Sequence, residues 1–393
     1  MKILFITSNS ALFSLDSGGA MRNNLFVGAL SQIGHVDVIS FNQKDLVSNV
    51  NNCDVIYSEF VEEEHSRWEF LRTWLSMTIK PTDPYSYYKV NKKRAEVVNH
   101  FVQDSHYDLI ACRYIDTATS CGLWKYGDRL VIDMDDHPAN KLKFLLPLVK
   151  FPVVKWKKLY EIKRMRKMVE KNLDSVACSF YSNMMEKPSS KSIYLHNTIT
   201  FDEAVADVNA TMDPVILYVG SFYHLPSKYG IFHFTNNIFP LIKERIPNAK
   251  LRIVGKGEKE WIDSLNKEDG VEAVGFVEDL VSEYKKARVV VVPIYQGTGT
   301  CVKFVEGLMM NRPVVSTPVG VRGFEEICKD GKHYMLAKSD EEFAERTVEL
   351  LSSLTTSQTI AKAGYEIAKK NFSQERFYEI VIEALSRVTT FLT

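Results

Sequence analysis

Apolar residues along the chain gather in short unbroken runs, and most runs are followed by a stretch in which apolar positions recur every three or four residues. A run that does not alternate with polar residues reads as a strand covered on both faces, and the three-to-four repeat reads as a helix lying against it. The first half opens with strand "KILFIT", a loop containing Gly18 and Gly19, a helix around "MRNNLFVGALSQIG", and strand "VDVISF". Strands follow at "DVIYSE", "DLIACRY" and "LVIDMDD", then a long basic helix over 155–173, then "SVACSF" and "SIYLHNT". The second half repeats the grammar. "VILYVGSF" precedes a helix in "GIFHFTNNIFPLIKERIP", followed by "KLRIVGKG", helix "KEWIDSLNKE", "VEAVGFV", helix "DLVSEYKKA" and the run "VVVVPI". The pattern predicts an α/β protein with two open parallel sheets.

At 393 residues the chain exceeds one ordinary core. The expected division is 1–200 and 201–393, with a linker near 198–214 and the last helix, about 373–393, packing back on the N-terminal domain.

One stretch, "YQGTGTCVKFVEGLMMNRPVVST" at 295–317, carries more than fold information. Val302, Val305 and Met309 fall on one predicted buried face, which leaves Lys303 and Glu306 together on another. Thr298 or Thr300 is expected to cap the helix; Asn311 can end it in a left-handed conformation, and Pro313 forbids continuation. In such a strand, glycine loop, helix and strand unit, the loop amides and the positive helix end point outward at the carboxyl end of the sheet. An anion such as a diphosphate binds there.

Lysine plus arginine equals aspartate plus glutamate at 49 each, which argues against a nucleic-acid-binding protein. The six cysteines form no CxxC pair, and no N-terminal apolar segment is long enough for a secretory signal or a span, so the expected location is a reducing cytoplasm. The nine histidines show no HExxH or paired ligand spacing, and no metal is expected. The lone GxG of "GKGEKE", with Gly255 first, reads as a tight turn rather than a dinucleotide fingerprint.

Several phrases in order, "ILYVGSF", "IFPLIKERIPNAKLRIVGKGEKE", "GVEAVGFVEDL" and "YKKARVVVVPIYQGTGTCVKFVEGLMMNRPVVSTPVGVRGFEE", resemble retaining glycosyltransferases of family 4 (glycosyl transferases group 1). The resemblance implies the GT-B architecture: two Rossmann-like domains facing a central cleft, the N-terminal one for the acceptor and the C-terminal one for the donor. It implies transfer of a sugar from a nucleoside diphosphate sugar to a glycan or lipid-linked acceptor hydroxyl, with retention, without a metal or resident cofactor. Cell-surface polysaccharide or glycolipid synthesis is the expected setting. Glu306 matches the glutamate that accepts from ribose hydroxyls, and Lys303 lies beside the diphosphate. The backbone near Val277 reads the base, and Gly297, Thr298, Gly299 and Thr300 form the donor loop. Gly18, Gly19, Arg22, Lys228 and Gly255 are the other expected donor contacts, and Asp135 and Asp136 face the reacting carbon.

Two positions depart from the family pattern. Thr298 replaces a glutamate that contacts the donor sugar in many members, and Ser221 replaces an arginine, with Lys228 as the substitute for the phosphates. These departures motivate a second reading, a sugar-nucleotide or glycan-binding protein without turnover; a third, an NAD-dependent oxidoreductase, also uses paired Rossmann units, but the lack of GxGxxG at Gly18 and Gly19 disfavours it. Residues 141–171 hold eleven Lys or Arg against two Glu, a local charge of +9 in a neutral chain. Mixed with Phe144, Phe151 and Trp156, they suit peripheral docking on an anionic membrane. The alternative is an ordinary amphipathic helix with Ile162, Met165, Val169 and Leu173 on the core.

Overall fold

A computed structural model describes residues 1–8, 18–42, 50–61, 75–184, 186–199, 213–297 and 299–390. The chain forms two units, Met1–Asn197 with Gln374–Thr393, and Thr198–Ser373. Most of the expected linker, 200–212, lies outside the described residues.

The first unit is built on seven strands: β1 (Lys2–Thr7), β2 (His35–Ser40), β3 (Cys53–Ser58), β4 (Leu109–Arg113), β5 (Leu130–Asp135), β6 (Cys178–Tyr181) and β7 (Ile193–Tyr194). All pair in parallel in the order β3-β2-β1-β4-β5-β6-β7. One face packs on Leu25, Phe26, Ala29 and Leu30 of the helix Gly18–Ser31, and on Phe377, Val381 and Leu385 of the helix Gln374–Thr390. These two helices meet because residue 28 is glycine; a Cβ there would overlap the Tyr378 hydroxyl.

The second unit repeats the plan with β8 (Val215–Val219), β9 (Lys250–Val254), β10 (Val271–Gly275), β11 (Val289–Val292), β12 (Val314–Ser316) and β13 (Met335–Leu336). Again every pair is parallel, in the order β10-β9-β8-β11-β12-β13. In both sheets the chain leaves a central strand in one direction and then returns to its other side, so the order reverses between β1 and β4 and between β8 and β11. At such a reversal neighbouring loops diverge and open a crevice at the carboxyl ends.

The helix read in "GIFHFTNNIFPLIKERIP" begins earlier, at Leu225, and is not regular. Leu225–His233 and Phe239–Arg245 are separated by a π-helical turn, Phe234–Ile238. Pro240 explains the interruption, because it lacks the amide an α-helix would use and its ring crowds the carbonyl four residues back. Gly18 and Gly19, expected in a loop, form the first turn of the helix Gly18–Ser31.

Candidate functional site

In the second unit the crevice between β8 and β11 is shaped by glycine. A Cβ on Gly220 would stand 2.4 Å from Cε of Lys303, and Gly255 comes so near that its Cβ would fall 1.7 Å from the Gly220 carbonyl oxygen. Gly255 also adopts φ 155, which other residues avoid. The turn expected at "GKG" is therefore a close backbone approach to Gly220, whose own missing side chain leaves room for the Lys303 stem. The Lys303 ammonium donates to Ser227 Oγ at 2.9 Å, and the same hydroxyl lies 3.1 Å from His224 Nδ1. The ammonium can only donate, which leaves the serine proton available for Nδ1 of a neutral imidazole. Burial and the Lys303 charge both lower the His224 pKa, in agreement.

Glu306 lies one turn along the helix Val302–Met309. Among the described residues no ion pair joins it to Lys303, which points to Ser227 instead. Burial pushes the Glu306 carboxyl up to about 7, against the opposing pull of Lys303 and of the Tyr284 hydroxyl. That hydroxyl is buried beside the carboxyl yet outside hydrogen-bonding geometry. Lys303 keeps its charge: burial opposes it, but Tyr218, Cys301 and Glu306 outweigh burial and raise its pKa. A cation and a carboxyl thus share one helix without a direct ion pair, an arrangement suited to a ligand that carries both phosphate and hydroxyls.

The helix start differs from the expected one. Its N-cap is Cys301, with no side-chain cap hydrogen bond, rather than Thr300; Thr298 lies outside the described residues. First-turn amides without a side-chain cap are the groups that bind anions at helix starts. Val305 is buried as expected, but Phe304, Gly307 and Leu308 bury more fully than Val302 and Met309, because the helix is covered from two sides. Asn311 does end it with φ 51. The preceding loop is held by Arg322, whose Nη2 donates to the carbonyls of Gly297 at 2.9 Å and Gly299 at 3.1 Å. Sequence reasoning passed over Arg322, Tyr284, Ser227 and Gly220, since each acts across a long separation. Lys228 pairs with Glu258 at 3.2 Å and lies over the Trp261 ring. Val277 packs partly buried after β10, and Ser221 is exposed after β8.

In the first unit, the residues after β5 are locked by charge. Arg22 donates to Asp133 through Nε at 2.8 Å and Nη2 at 2.7 Å, and through Nη1 to Leu195 O, His196 O and Asn197 Oδ1. All three nitrogens are spent inside the unit, so Arg22, expected at the donor, is a buried structural residue. Arg113, equally buried, donates to Asp135 Oδ2 at 2.9 Å, to the Tyr114 hydroxyl at 2.7 Å, and to Gly19 O at 3.3 Å, tying down the glycine turn. Asp135 has φ 60 and Tyr114 φ 67, strained values for non-glycine residues that this network holds in place. Burial favours the neutral form of Asp135, but Arg22 and Arg113 outweigh it and hold the carboxyl below the ordinary range. A carboxylate so held is a poor proton acceptor. Asp136 Oδ1 accepts a long hydrogen bond from Ser182 Oγ at 3.4 Å.

Residues 213–353 match the family Glycosyl transferases group 1. This segment, with the crevice and the Lys303 helix, is a glycosyl transferases group 1 domain. The two-sheet fold is GT-B: sucrose-phosphate synthase from Thermosynechococcus elongatus superposes with a TM-score of 0.67 at 16% identity, covering 100% of each chain. HepE from Anabaena, in complex with UDP, gives 0.62 at 14% identity over 98% of this chain and 100% of its own. An uncharacterised 44.6 kDa protein in the cps region of Klebsiella pneumoniae is 19% identical over 176 residues, 43% of this chain and 45% of that protein. The match thus spans less than half of that relative.

Proposed function

We propose that the protein transfers a sugar from a nucleoside diphosphate sugar to an acceptor hydroxyl with retention at the anomeric carbon, without a metal. The observation that carries this reading is the pairing on one helix of a charged Lys303, seated against Gly220 at the sheet reversal, with a Glu306 carboxyl that makes no ion pair among the described residues. Charge develops on the departing diphosphate as the glycosidic bond breaks, and a fixed ammonium beside the start of its helix stabilises that charge. Glu306 accepts from the two ribose hydroxyls. The leaving phosphate itself takes the acceptor proton on the same face of the sugar, so orientation and electrostatics suffice and a strong side-chain base is unnecessary. UDP is the first nucleotide to try, since HepE was captured with it.

The acceptor is a glycan or lipid-linked hydroxyl of cell-surface polysaccharide or glycolipid synthesis, reached from the cytoplasmic face of a membrane. Among the described residues no helix is long and apolar enough to cross a bilayer. The helix Pro152–Leu173 supports surface docking instead. Its second half buries Ile162, Met168, Val169 and Leu173, while at its start Phe151, Val153 and Trp156 are 72%, 78% and 69% exposed beside Lys155 and Lys157. Apolar tips among cations partition into an anionic headgroup layer. Incubating labelled UDP-, GDP-, ADP- and dTDP-sugars with acceptor lipids on anionic vesicles tests both parts. Transfer with one donor, weakened by high salt or by reversing Lys155, Lys157 and Lys158 to Glu, is expected. Saturable donor binding with neither transfer nor hydrolysis would instead mark a sugar-nucleotide-binding protein.

A further inference from the structure

We propose that His35, Asp37 and Asp54 form a site for a zinc-like divalent ion at the amino-terminal edge of the first sheet, away from the carboxyl ends. The sheet itself assembles the trio. His35 and Asp37 are two residues apart on β2 and so project to one face. Asp54 is the parallel-strand partner of Asp37 on β3 and projects to the same face. His35 Nε2 lies 3.1 Å from Asp37 Oδ1 and 3.2 Å from Asp54 Oδ2. With metal bonds of about 2.0–2.1 Å to imidazole nitrogen and carboxylate oxygen, such separations subtend roughly 100° at the ion, close to tetrahedral.

The surrounding hydrogen bonds orient two of the three ligands, His35 and Asp37, as a metal site requires. Asn52 Nδ2 donates to Ser31 O at 3.1 Å and Gly34 O at 2.6 Å, which fixes the amide so that Oδ1 faces His35 Nδ1, 3.2 Å away. Nδ1 must then carry the ring proton, and the remaining nitrogen, Nε2, is turned toward two carboxylate oxygens. Nε2 meets those oxygens either as an N–H, donating to Asp37 Oδ1 at 3.1 Å, or as a lone pair on a bound cation that takes that proton's place. Asp37 is 6% exposed, and its other oxygen is already engaged by Tyr107 Oη at 2.8 Å and Lys2 Nζ at 3.2 Å, leaving Oδ1 for the ion. This is the outer shell that sets ring orientation and ligand basicity in protein metal sites. One imidazole with two carboxylates suits zinc and its first-row neighbours better than magnesium, which demands an octahedron of oxygens.

The test is titration of the metal-stripped protein with Co²⁺, read by visible absorption, with Zn²⁺ and Mg²⁺ as competitors. The expected result is saturation at one equivalent, displacement by zinc and not by magnesium, and loss of the signal in His35→Ala. Asp54→Ala weakens binding at least tenfold, and Asn52→Gly, which keeps the left-handed turn at φ 60 but removes the amide, weakens it about 10–100-fold. No saturable Co²⁺ signal, or one that survives His35→Ala, overturns the site and leaves an imidazolium held between two aspartates. Circular dichroism of each variant confirms that the fold persists, and Asp54, on the surface, is the substitution least able to disturb it.

Discussion

Lys303 and Gly220 are mutually dependent: the lysine stem occupies the space a side chain on residue 220 would take, with Cε 2.4 Å from the position of that absent Cβ. They are 83 positions apart in the chain, and neither has its role without the other.

Gly220→Ala is therefore expected to displace the Lys303 ammonium from Ser227 while leaving the strands intact. Turnover should fall at least tenfold with the far-ultraviolet circular dichroism unchanged. Steady-state rates on any donor that proves active check this, and a wild-type rate would remove Gly220 from the account.

Lys303→Ala separates binding from chemistry. If the ammonium acts on charge that develops during bond cleavage, kcat drops by about 10²–10³, the cost of removing one preorganised electrostatic partner, and KM changes little. A raised KM at constant kcat would make Lys303 a binding residue only.

The Glu306 carboxyl titrates near 7 in the folded protein, above the ordinary value of 4.5. Because the folded state holds this proton more tightly, stability from this group is full below about 4.5 and is lost as pH rises toward 7. At 1.36 kcal/mol per unit the loss is at most about 3 kcal/mol. Glu306→Gln should match the parent in thermal stability at pH 4.5 and exceed it by several degrees at pH 8, while donor affinity falls. Parallel melting curves at the two pH values decide it. The parent's donor affinity should rise between pH 6 and 8 as the carboxylate forms.

Asp135 and Asp136 should behave oppositely. Asp135→Asn leaves Arg22 and Arg113 short of a counter-charge in a buried network, a change of about 3–5 kcal/mol, with loss of the strained turn after β5. Asp136→Asn, which keeps an acceptor oxygen for Ser182, should cost less stability than Asp135→Asn and act on the transfer rate. Urea denaturation beside rate measurements distinguishes them; equal destabilisation by both would mean that Asp136 is also structural.

The two sheets were legible because each buried parallel strand is a local run of apolar residues, and most strand runs fall where they were read. The helix Val302–Met309 was legible for the same reason, and with it the joint placement of Lys303 and Glu306. What escaped is what depends on distant partners. Arg22 carries no local mark that its guanidinium is committed to Asp133, 111 residues away. Nor does Arg322 show that it clamps the glycine loop. β13 has two residues, too few for any periodicity, and the trio of His35, Asp37 and Asp54 appears only when β3 is laid beside β2.

The central claim is that the crevice at the β8 and β11 reversal holds a nucleoside diphosphate through Lys303 and Glu306. Its most direct test is calorimetric titration of UDP, GDP, ADP and dTDP, and their common sugar conjugates, into the parent and into Glu306→Gln at pH 8. One nucleotide family should bind the parent at a single site, with affinity at least tenfold lower in the variant, and a ligand at a hundred times its Kd should stabilise the fold by about 2.7 kcal/mol. No binding by any of them, or binding within twofold in the parent and Glu306→Gln, would contradict the claim.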